Sequence, residues 1–282
     1  YTHTYIYIHN SFCCCYFFLT SLIVNANDLK KIQLEYEVYI GGLRAITANL
    51  HNAFSEKTYD TTLNLQTEGI TGKLFQWSFS AFSFGEIKKN KVIPMKAGRD
   101  STWRGKKRSA RITFGKDGVP IVTLTPDPEM KIKEQIPSKN LMHTRDLTGA
   151  LVSHLFRAAA TNSCVRSERI FDGKRRYNLI FEGQVEEKLK RDQYSPYGGP
   201  TLRCQFRMEK IAGFRPKASR YKWMSDGSAR IWLARVFPNT MMVPIRLEAD
   251  TTFGGLYIYL VSATQIHRGK KTEIKRIQKT AK

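Results

Sequence analysis

The chain has 282 residues, of which 46 are Lys or Arg and 24 are Asp or Glu, giving a formal net charge of +22. Hydrophobic residues make up 41% of the sequence and aromatic residues 12%, which excludes a disordered polycation and indicates a folded core. The length suits one large all-β domain or two small ones. The charge predicts attraction to polyanions, although a lysine-rich solvated surface would give the same composition.

Residues 1–26 are predicted to be a signal peptide. The apolar run from Phe12 to Val24 is too short to cross a bilayer, which takes about 20 residues. It ends in Val24-Asn25-Ala26, a sequence that suits signal peptidase. The first 27 residues contain no Lys or Arg, so a misassigned start and a retained N-terminal anchor stay open as alternatives. The triplet Cys13–Cys15 lies in this run and is interpreted as discarded hydrophobic sequence rather than a metal or redox centre.

Removal of this segment would leave two cysteines, Cys164 and Cys204. An even number of cysteines in an exported protein predicts a disulfide, and the alternative is two buried free thiols. A closed loop of roughly 40 residues would contribute about 4 kcal/mol in the chain-entropy account of disulfides.

The first part of the remaining chain alternates between apolar and polar residues, which is typical of strands with one buried face. The alternation begins with Ile32, Leu34, Tyr36, Val38 and Ile40. Further strands are predicted around residues 46–50, 59–65, 75–81, 95–104, 107–114 and 119–125. Neighbouring strands of this kind predict an antiparallel meander.

A stretch rich in Pro and polar residues, 125–140, is interpreted as a linker or a long surface loop. It precedes a predicted helix, DLTGALVSHLFRAAA, with Asp146 as the N-cap residue. The apolar positions of this helix fall on one face at a spacing of 3.6 residues. His154 lies on that face and is expected to be a core or boundary histidine rather than a ligand.

Strands return after the helix. RIFDGKRRYNLIF is predicted to be a hairpin in which Asp172-Gly173 forms a two-residue type I′ turn, and four further strands follow up to residue 267. We predict a mainly β fold: a large antiparallel curled sheet, barrel-like or spiral, with one principal α-helix that caps or fills it. A two-sheet sandwich is the alternative. The predicted domains are a signal peptide at 1–26, a β domain at 27–267 and a basic flexible tail at 268–282.

Known catalytic motifs are missing from the sequence. There is no P-loop and no G-x-S-x-G elbow, and the histidines outside the signal segment show no metal-ligand spacing. Catalytic groups can converge from distant positions, so this argues only weakly against an enzyme. We expect no enzymatic activity, no metal and no cofactor.

Basic residues interleaved with aromatic ones are the candidate ligand-binding residues. They are Trp103, Arg104, Arg175, Arg176 and Tyr177. On a continuous strand Trp103 and Arg104 would face opposite sides, so a pocket for both a tail and a headgroup is one interpretation. Polar outer strand faces around a core tryptophan are the alternative.

Five segments, taken together, resemble a known family. YEVYIGGLRA, DSTWRGKKR, RIFDGKRRYNL, LRCQFRMEKIAGF and PIRLEADTTFGGLYIYL are similar, in this order, to DUF3108, a domain of unknown function from exported proteins of Gram-negative bacteria. The resemblance covers roughly residues 32–265 and implies a periplasmic curled β-sheet without assigned catalytic residues or a known cofactor. Cys164 and Cys204 stand where similar proteins carry cysteines, which supports the bridge.

These observations lead to an expectation for function. The chain is expected to be a periplasmic protein that binds an amphiphile, such as a lipid or a lipoprotein-like ligand, or an envelope protein, and that supports the integrity of the cell envelope. Expected partners are an anionic lipid or another envelope component, and nucleic acid is not expected if the protein is exported. The alternative is a basic protein that binds polyanions, nucleic acid included, through charge alone.

Overall fold

A computed structural model describes residues 29–89, 91–115, 117–126, 136–214 and 222–276. The predicted signal peptide lies outside the described residues. So do most of the Pro-rich stretch at 125–140 and the last six residues of the predicted tail.

The described chain is dominated by β-structure, with four helical segments. The strands are β1 (Lys30–Ile40), β2 (Leu43–Phe54), β3 (Thr58–Thr67), β4 (Trp77–Lys88), β5 (Lys91–Trp103), β6 (Lys106–Phe114), β7 (Pro120–Thr125), β8 (Arg166–Phe171), β9 (Arg176–Leu189), β10 (Gly199–Ala212), β11 (Ala229–Ala234), β12 (Val243–Thr251), β13 (Gly254–His267) and β14 (Lys270–Lys275). The helical segments are α1 (Gly69–Leu74), α2 (Ser138–Leu141), α3 (Leu147–Thr161) and α4 (Lys222–Ser225).

All fourteen strands belong to one antiparallel sheet. Its order is β7-β6-β5-β4-β3-β2-β1-β13-β12-β11-β10-β9-β8, with β14 also paired to β13. The strands β1 to β7 form one meander and β8 to β13 a second, and the two meanders meet where β1 pairs with β13. The predicted curled antiparallel sheet is confirmed.

Alternation along the strands separates a buried concave face from an outer face. On β1 the side chains of Ile32, Leu34 and Tyr36 are at most 8% exposed, whereas Gln33 and Glu35 between them are exposed. A register shift between Glu35 and Tyr36 interrupts the β1–β13 ladder. Such a bulge bends a strand and increases its twist, which helps a long sheet to curl around its own apolar face.

Helix α3 fills the space that the sheet encloses. Asp146 is its N-cap, as predicted, and accepts a hydrogen bond from the backbone N–H of Gly149 at 2.9 Å. Val152, Leu155 and Ala158 are almost completely buried against the sheet. The helix ends at Asn162, whose left-handed backbone conformation ends the α-helical hydrogen bonding.

The two ends of the sheet meet without pairing with each other. In the described part of the chain, no backbone ladder joins the outer strands β7 and β8. Instead, Arg145 makes backbone hydrogen bonds with Arg169 and Phe171 of β8. The Nε of Arg145 donates to the carbonyl oxygen of Val92 on β5 at 3.0 Å. Nε of Arg99 on β5 likewise donates to the carbonyl oxygen of Asp172, at 3.1 Å. The sheet is therefore curled but unclosed.

The predicted disulfide is present in the structure. Cys164 and Cys204 are bonded to each other, and both are fully buried. The bond ties the segment between α3 and β8 to the middle of β10.

Two predicted elements differ from the structure. The segment 268–276 is not a free tail, because Lys270–Lys275 form β14, paired with residues 262–267 of β13. The strand β12 pairs only with residues 254–259 of β13, so β14 occupies the part of that edge which would otherwise stay unpaired. The β8–β9 connection has four residues rather than two, and Phe171 therefore pairs with Arg176.

Candidate functional site

A mostly apolar cavity of about 240 Å³ lies between the concave side of β4, β5 and β6, the start of α3 and the β8–β9 turn. Its apolar wall consists of Phe79, Ala81, Ile112, Leu147, Tyr177, Met208, Phe214 and Met224. Alternation places Ala81 and Ile112 on the concave face of the sheet. Because the sheet curls, these residues face the β8–β9 turn, although the turn follows β6 by some sixty residues in the chain.

Two arginines and one aspartate form the polar side of this cavity. Nε of Arg175 lies 3.3 Å from Oδ2 of Asp172, and Nε of Arg99 donates to the backbone carbonyl of the same aspartate. The other carboxylate oxygen of Asp172 accepts hydrogen bonds from the backbone N–H groups of Lys174 and Arg175, which fixes the turn. The guanidinium of Arg175 also lies 6.0 Å from the centroid of the Phe214 ring. Two cationic groups thus stand beside an apolar space.

A buried carboxylate forms part of the cavity wall near α3. Asp146 accepts hydrogen bonds from the hydroxyls of Ser83 and Thr148, at 2.7 and 2.6 Å, as well as from Gly149. Burial raises the pKa of Asp146, and these hydrogen bonds act in the opposite direction. The Ser83 hydroxyl also contacts the Tyr59 hydroxyl at 2.9 Å. Ser83 is fully buried and does not line the cavity, so this hydrogen-bond chain holds the helix start rather than presenting a nucleophile.

Of the predicted ligand-binding residues, Arg175 and Tyr177 line the cavity. Arg176 does not: it is only 4% exposed, and its guanidinium donates to the carbonyl oxygens of Asn140 and Tyr177. The structure therefore does not bring Arg176 to the cavity with Arg175 and Tyr177. The longer β8–β9 turn is the cause, because it places Arg176 opposite the buried Phe171.

Trp103 and Arg104 lie elsewhere, at the β5–β6 turn. β5 ends at Trp103, and Arg104 has a positive φ of 46° in the turn, so the predicted strand alternation does not extend across this pair. The Arg104 guanidinium lies 5.7 Å from the Phe75 ring centroid and 5.8 Å from that of Trp103. Trp103 is 50% exposed, and neither residue lines the cavity.

Arg99 and Asp146 are cavity residues that sequence reasoning does not identify as such. Strand alternation is the available signal for Arg99, because it pairs with Ala81 and shares its face. The sequence marks Asp146 only as a helix cap.

A second depression, of about 580 Å³, lies near the other end of the sheet, beside the β2–β3 turn and the last turn of α3. Its lining mixes apolar residues such as Phe54 and Phe156 with charged ones such as Lys30 and Glu56. It is more open to solvent than the first cavity and more polar, so it is the weaker candidate for an apolar ligand.

Within the described ranges, no group of three or more His, Cys, Asp or Glu side chains is arranged to hold a metal ion. None of the helices within those ranges is long and apolar enough to cross a membrane.

Comparison with known proteins gives a family match and a distant likeness to solved structures. The model of a family described as "Protein of unknown function (DUF3108)" matches residues 35–261. The crystal structure of a beta-barrel-like protein of the domain of unknown function DUF1849 from Brucella abortus aligns with 84% of this chain and 98% of its own. The TM-score of that alignment is 0.44 and the sequence identity is 12%. No curated protein matches the chain, and neither description indicates an enzyme family.

Proposed function

The chain belongs to the DUF3108 family, whose function is unknown, and from this premise we propose that it is a non-enzymatic periplasmic protein that binds an anionic amphiphile in the cavity between β4–β6 and the β8–β9 turn. Such a role would support the integrity of the cell envelope. The observation that carries the proposal is an apolar cavity of about 240 Å³ with Arg99 and Arg175 at its wall.

The two parts of the cavity suit the two parts of an amphiphile. Removing a hydrocarbon chain from water is favourable by about 0.8 kcal/mol per methylene group, and the apolar wall offers a place for it. The arginines can donate charge-assisted hydrogen bonds to a carboxylate or phosphate headgroup. The cavity is smaller than the roughly 300–1,000 Å³ of sites that hold drug-sized ligands, so it suits a short chain or the end of a longer one.

Two features support the proposed compartment. The disulfide between Cys164 and Cys204 is of the kind that persists in oxidising compartments, to which the periplasm belongs. The predicted signal peptide at 1–26 points the same way. Detection of the processed protein in periplasmic fractions would test the assignment, and an unprocessed cytosolic protein would contradict it.

Binding of decanoate, compared with decanol, tests the cavity. We expect isothermal titration calorimetry to show tighter binding of the anion, because decanol lacks the charge that the arginines recognise. Replacing Arg175 by Gln should weaken decanoate binding by about tenfold, corresponding to about 1.4 kcal/mol for one charge-assisted contact. Ala81→Leu should reduce the binding of both ligands, because the larger side chain occupies the cavity.

A matched control and a salt series complete this experiment. Ala160→Leu makes the same change beside the second depression and should leave binding unchanged. Decanoate binding should weaken with salt but persist, because tail burial is insensitive to screening. The net charge of +22 favours the alternative, binding of polyanions through charge alone. Equal and wholly salt-labile binding to decanoate and duplex DNA would establish that alternative and overturn the proposal.

A further inference from the structure

One end of the sheet carries a row of exposed apolar side chains. Because neighbouring strands run in opposite directions, the β1–β2 turn, the β3–β4 connection with α1, the β5–β6 turn and the β12–β13 turn all lie at this end. We call the six large apolar side chains that are exposed in or directly beside these connections the apolar rim; they are Leu43, Ile70, Leu74, Phe75, Trp103 and Phe253. Phe253 is 81% exposed and Ile70 77%.

Hydrogen bonds to backbone carbonyls join the connections that carry the rim. The backbone N–H of Gly41 donates to the carbonyl oxygen of Gly255 at 3.0 Å, which joins the β1–β2 and β12–β13 turns. The Thr71 hydroxyl donates to the carbonyl oxygen of Ala45 at 2.8 Å, which fixes α1 over the start of β2. The apolar side chains are thus held beside one another by structure that does not bury them.

The aromatic part of the rim extends this row to the β5–β6 turn. The rings of Phe75 and Trp103 stack with centroids 6.4 Å apart, and the backbone N–H of Arg104 donates to the carbonyl oxygen of Gln76 at 3.1 Å. None of the residues of α1 is buried, although two of its six residues, Ile70 and Leu74, are large and apolar. A contiguous exposed apolar patch of this kind marks an interaction surface.

Charge at the same end indicates the chemistry of the partner. Exposed cations flank the aromatic part of the rim: Lys73, Arg104, Lys106, Lys107 and Arg108. Within the four connections and the two strand residues on either side of each, the acidic residues are Glu68, which lies 3.9 Å from Arg44, and Asp250. Cations therefore outnumber carboxylates around the rim. Exposed aromatic and aliphatic residues beside Lys and Arg are the combination that binds the interface of an anionic membrane.

We propose that the apolar rim docks on the surface of an anionic lipid bilayer, with its apolar side chains among the headgroups and upper acyl chains and with Lys106, Lys107 and Arg108 on lipid phosphates. The rim projects from turns at the end of the sheet instead of lining a groove, which suits a flat lipid surface better than a peptide. This surface goes beyond the cavity proposed above and does not depend on it.

Co-sedimentation with vesicles tests the proposal. We expect the disulfide-bonded protein to bind phosphatidylcholine vesicles that contain phosphatidylglycerol and to bind pure phosphatidylcholine at least about tenfold more weakly. Replacing Ile70 and Phe253 by Ser should lower partitioning into the anionic vesicles by about tenfold or more, because two large apolar side chains are lost. Ile121→Ser is the matched control: Ile121 is 69% exposed but lies on β7, outside the rim, and its loss should change nothing.

Two further measurements separate membrane docking from self-association and from loss of the fold. Quenching of the Trp103 fluorescence by brominated acyl chains should occur in the native protein and decrease in Trp103→Phe. Thermal unfolding of each variant checks that the fold is intact. Equal vesicle binding by the Ile70/Phe253 variant and the native protein would overturn the proposal. Self-association through the rim without vesicle binding would overturn it as well.

The proposals for the cavity and for the rim can be tested separately. Ala81→Leu, which occupies the cavity, should reduce decanoate binding and leave vesicle binding intact. Loss of both would show that vesicles are bound only through the cavity, and the rim proposal would then be wrong. Loss of vesicle binding in the rim variant, with decanoate binding preserved, supports the rim independently of whether the cavity has the proposed function.

Discussion

His154 is a buried histidine whose two ring nitrogens lack hydrogen-bond partners among the described residues. It is 1% exposed, and its ring stacks on Phe181 with centroids 3.9 Å apart. Burial, and secondarily the charge of Arg166, lowers its pKa to about 4. Glu168 next to this arginine is ion-paired with both Arg145 and Arg166, so its charge is already compensated.

Replacing His154 by Leu is expected to remove one source of acid sensitivity. Above pH 6.5 the histidine is neutral in both the folded and the unfolded chain and has no pH-dependent effect. As the pH falls from 6.5 to 4, protons bind first to the unfolded chain, so the native protein should lose up to about 3 kcal/mol of stability. Urea unfolding of the native and variant proteins at pH 7, 5.5 and 4 measures this difference.

A second histidine variant serves as the control for this measurement. His51 is exposed on β2, and His51→Gln should keep the pH dependence of the native protein. The interpretation of His154 would be contradicted if His154→Leu lost as much stability between pH 6.5 and 4 as the native protein does.

At the scale of elements, the residue that follows β14 is fixed to the outer face of β1. The guanidinium of Arg276, directly after β14, donates two hydrogen bonds of 2.7 Å to the carboxylate of Glu37. Tyr39 and Arg44 each donate one more, at 2.8 Å. Burial alone would raise the pKa of Glu37, but these hydrogen bonds, with Arg276 first among them, outweigh it and hold the pKa at about 2.

Replacing Arg276 by Met should therefore destabilise the protein near neutral pH. The lowered pKa of Glu37 means that its contribution is present above pH 4.5 and is lost as the pH falls toward 2. We expect Arg276→Met to lower the free energy of unfolding at pH 7 by roughly 2 kcal/mol, less than the full shift implies, because solvent screens part of the pair. The variant should also lose less stability than the native protein between pH 4.5 and 2.

Chemical denaturation at pH 7, 4.5 and 2.5 measures both effects. Lys271→Met is the control, because this exposed lysine of β14 pairs with Glu273 at the surface, where solvent screens the interaction, and its loss should leave the free energy of unfolding nearly unchanged. Equal effects of the two substitutions would contradict a specific role for Arg276.

Most strands of this fold are predictable from alternation, and β14 shows where that signal ends. On β1 the buried residues Ile32, Leu34 and Tyr36 mark the concave face directly. The strand KKTEIK has only one large apolar residue, so its sequence reads as a solvated tail. It becomes a strand because β12 leaves half of one edge of β13 without a partner, and that vacancy exists only in the assembled sheet.

The candidate site is less predictable, for a related reason. The sequence points to Arg175 and Tyr177 through their basic and aromatic character, and both line the cavity. Arg99 and Asp146 join them only because curling brings β5 and the start of α3 to the β8–β9 turn. Alternation determines which face a residue occupies, but it does not determine which distant strand that face will meet.

At the scale of the whole molecule, the central strands of the sheet are paired on both edges, whereas the end strands are paired on one edge. β1 is paired along its whole length with β2 and nearly so with β13, whereas β7 has β6 as its single partner in the sheet order. The disulfide reinforces the second meander rather than the first, because both its cysteines lie after α3. Local opening should therefore begin at β7.

Hydrogen exchange followed by mass spectrometry is expected to reproduce this order. Peptides that cover Ile32–Val38 should exchange slowest, at rates governed by global unfolding, and peptides that cover β7 should exchange much faster through local opening. Equal protection of β1 and β7 would mean that the curled sheet unfolds as a single unit, against this expectation.

The pairing of β1 with β13 sets the order in which the fold can be completed during synthesis. Ile40 pairs with Leu256, so one edge of β1 stays unpaired until β13, more than two hundred residues later in the chain, has been synthesised. At about 5–20 residues per second that interval lasts on the order of 10–45 s. The first meander can form in this time, but with an unpaired edge that can accept the β13 strand of a neighbouring copy in place of its own. Domain-swapped dimers exchanging β13 are therefore the misfolded product to which this topology is most exposed.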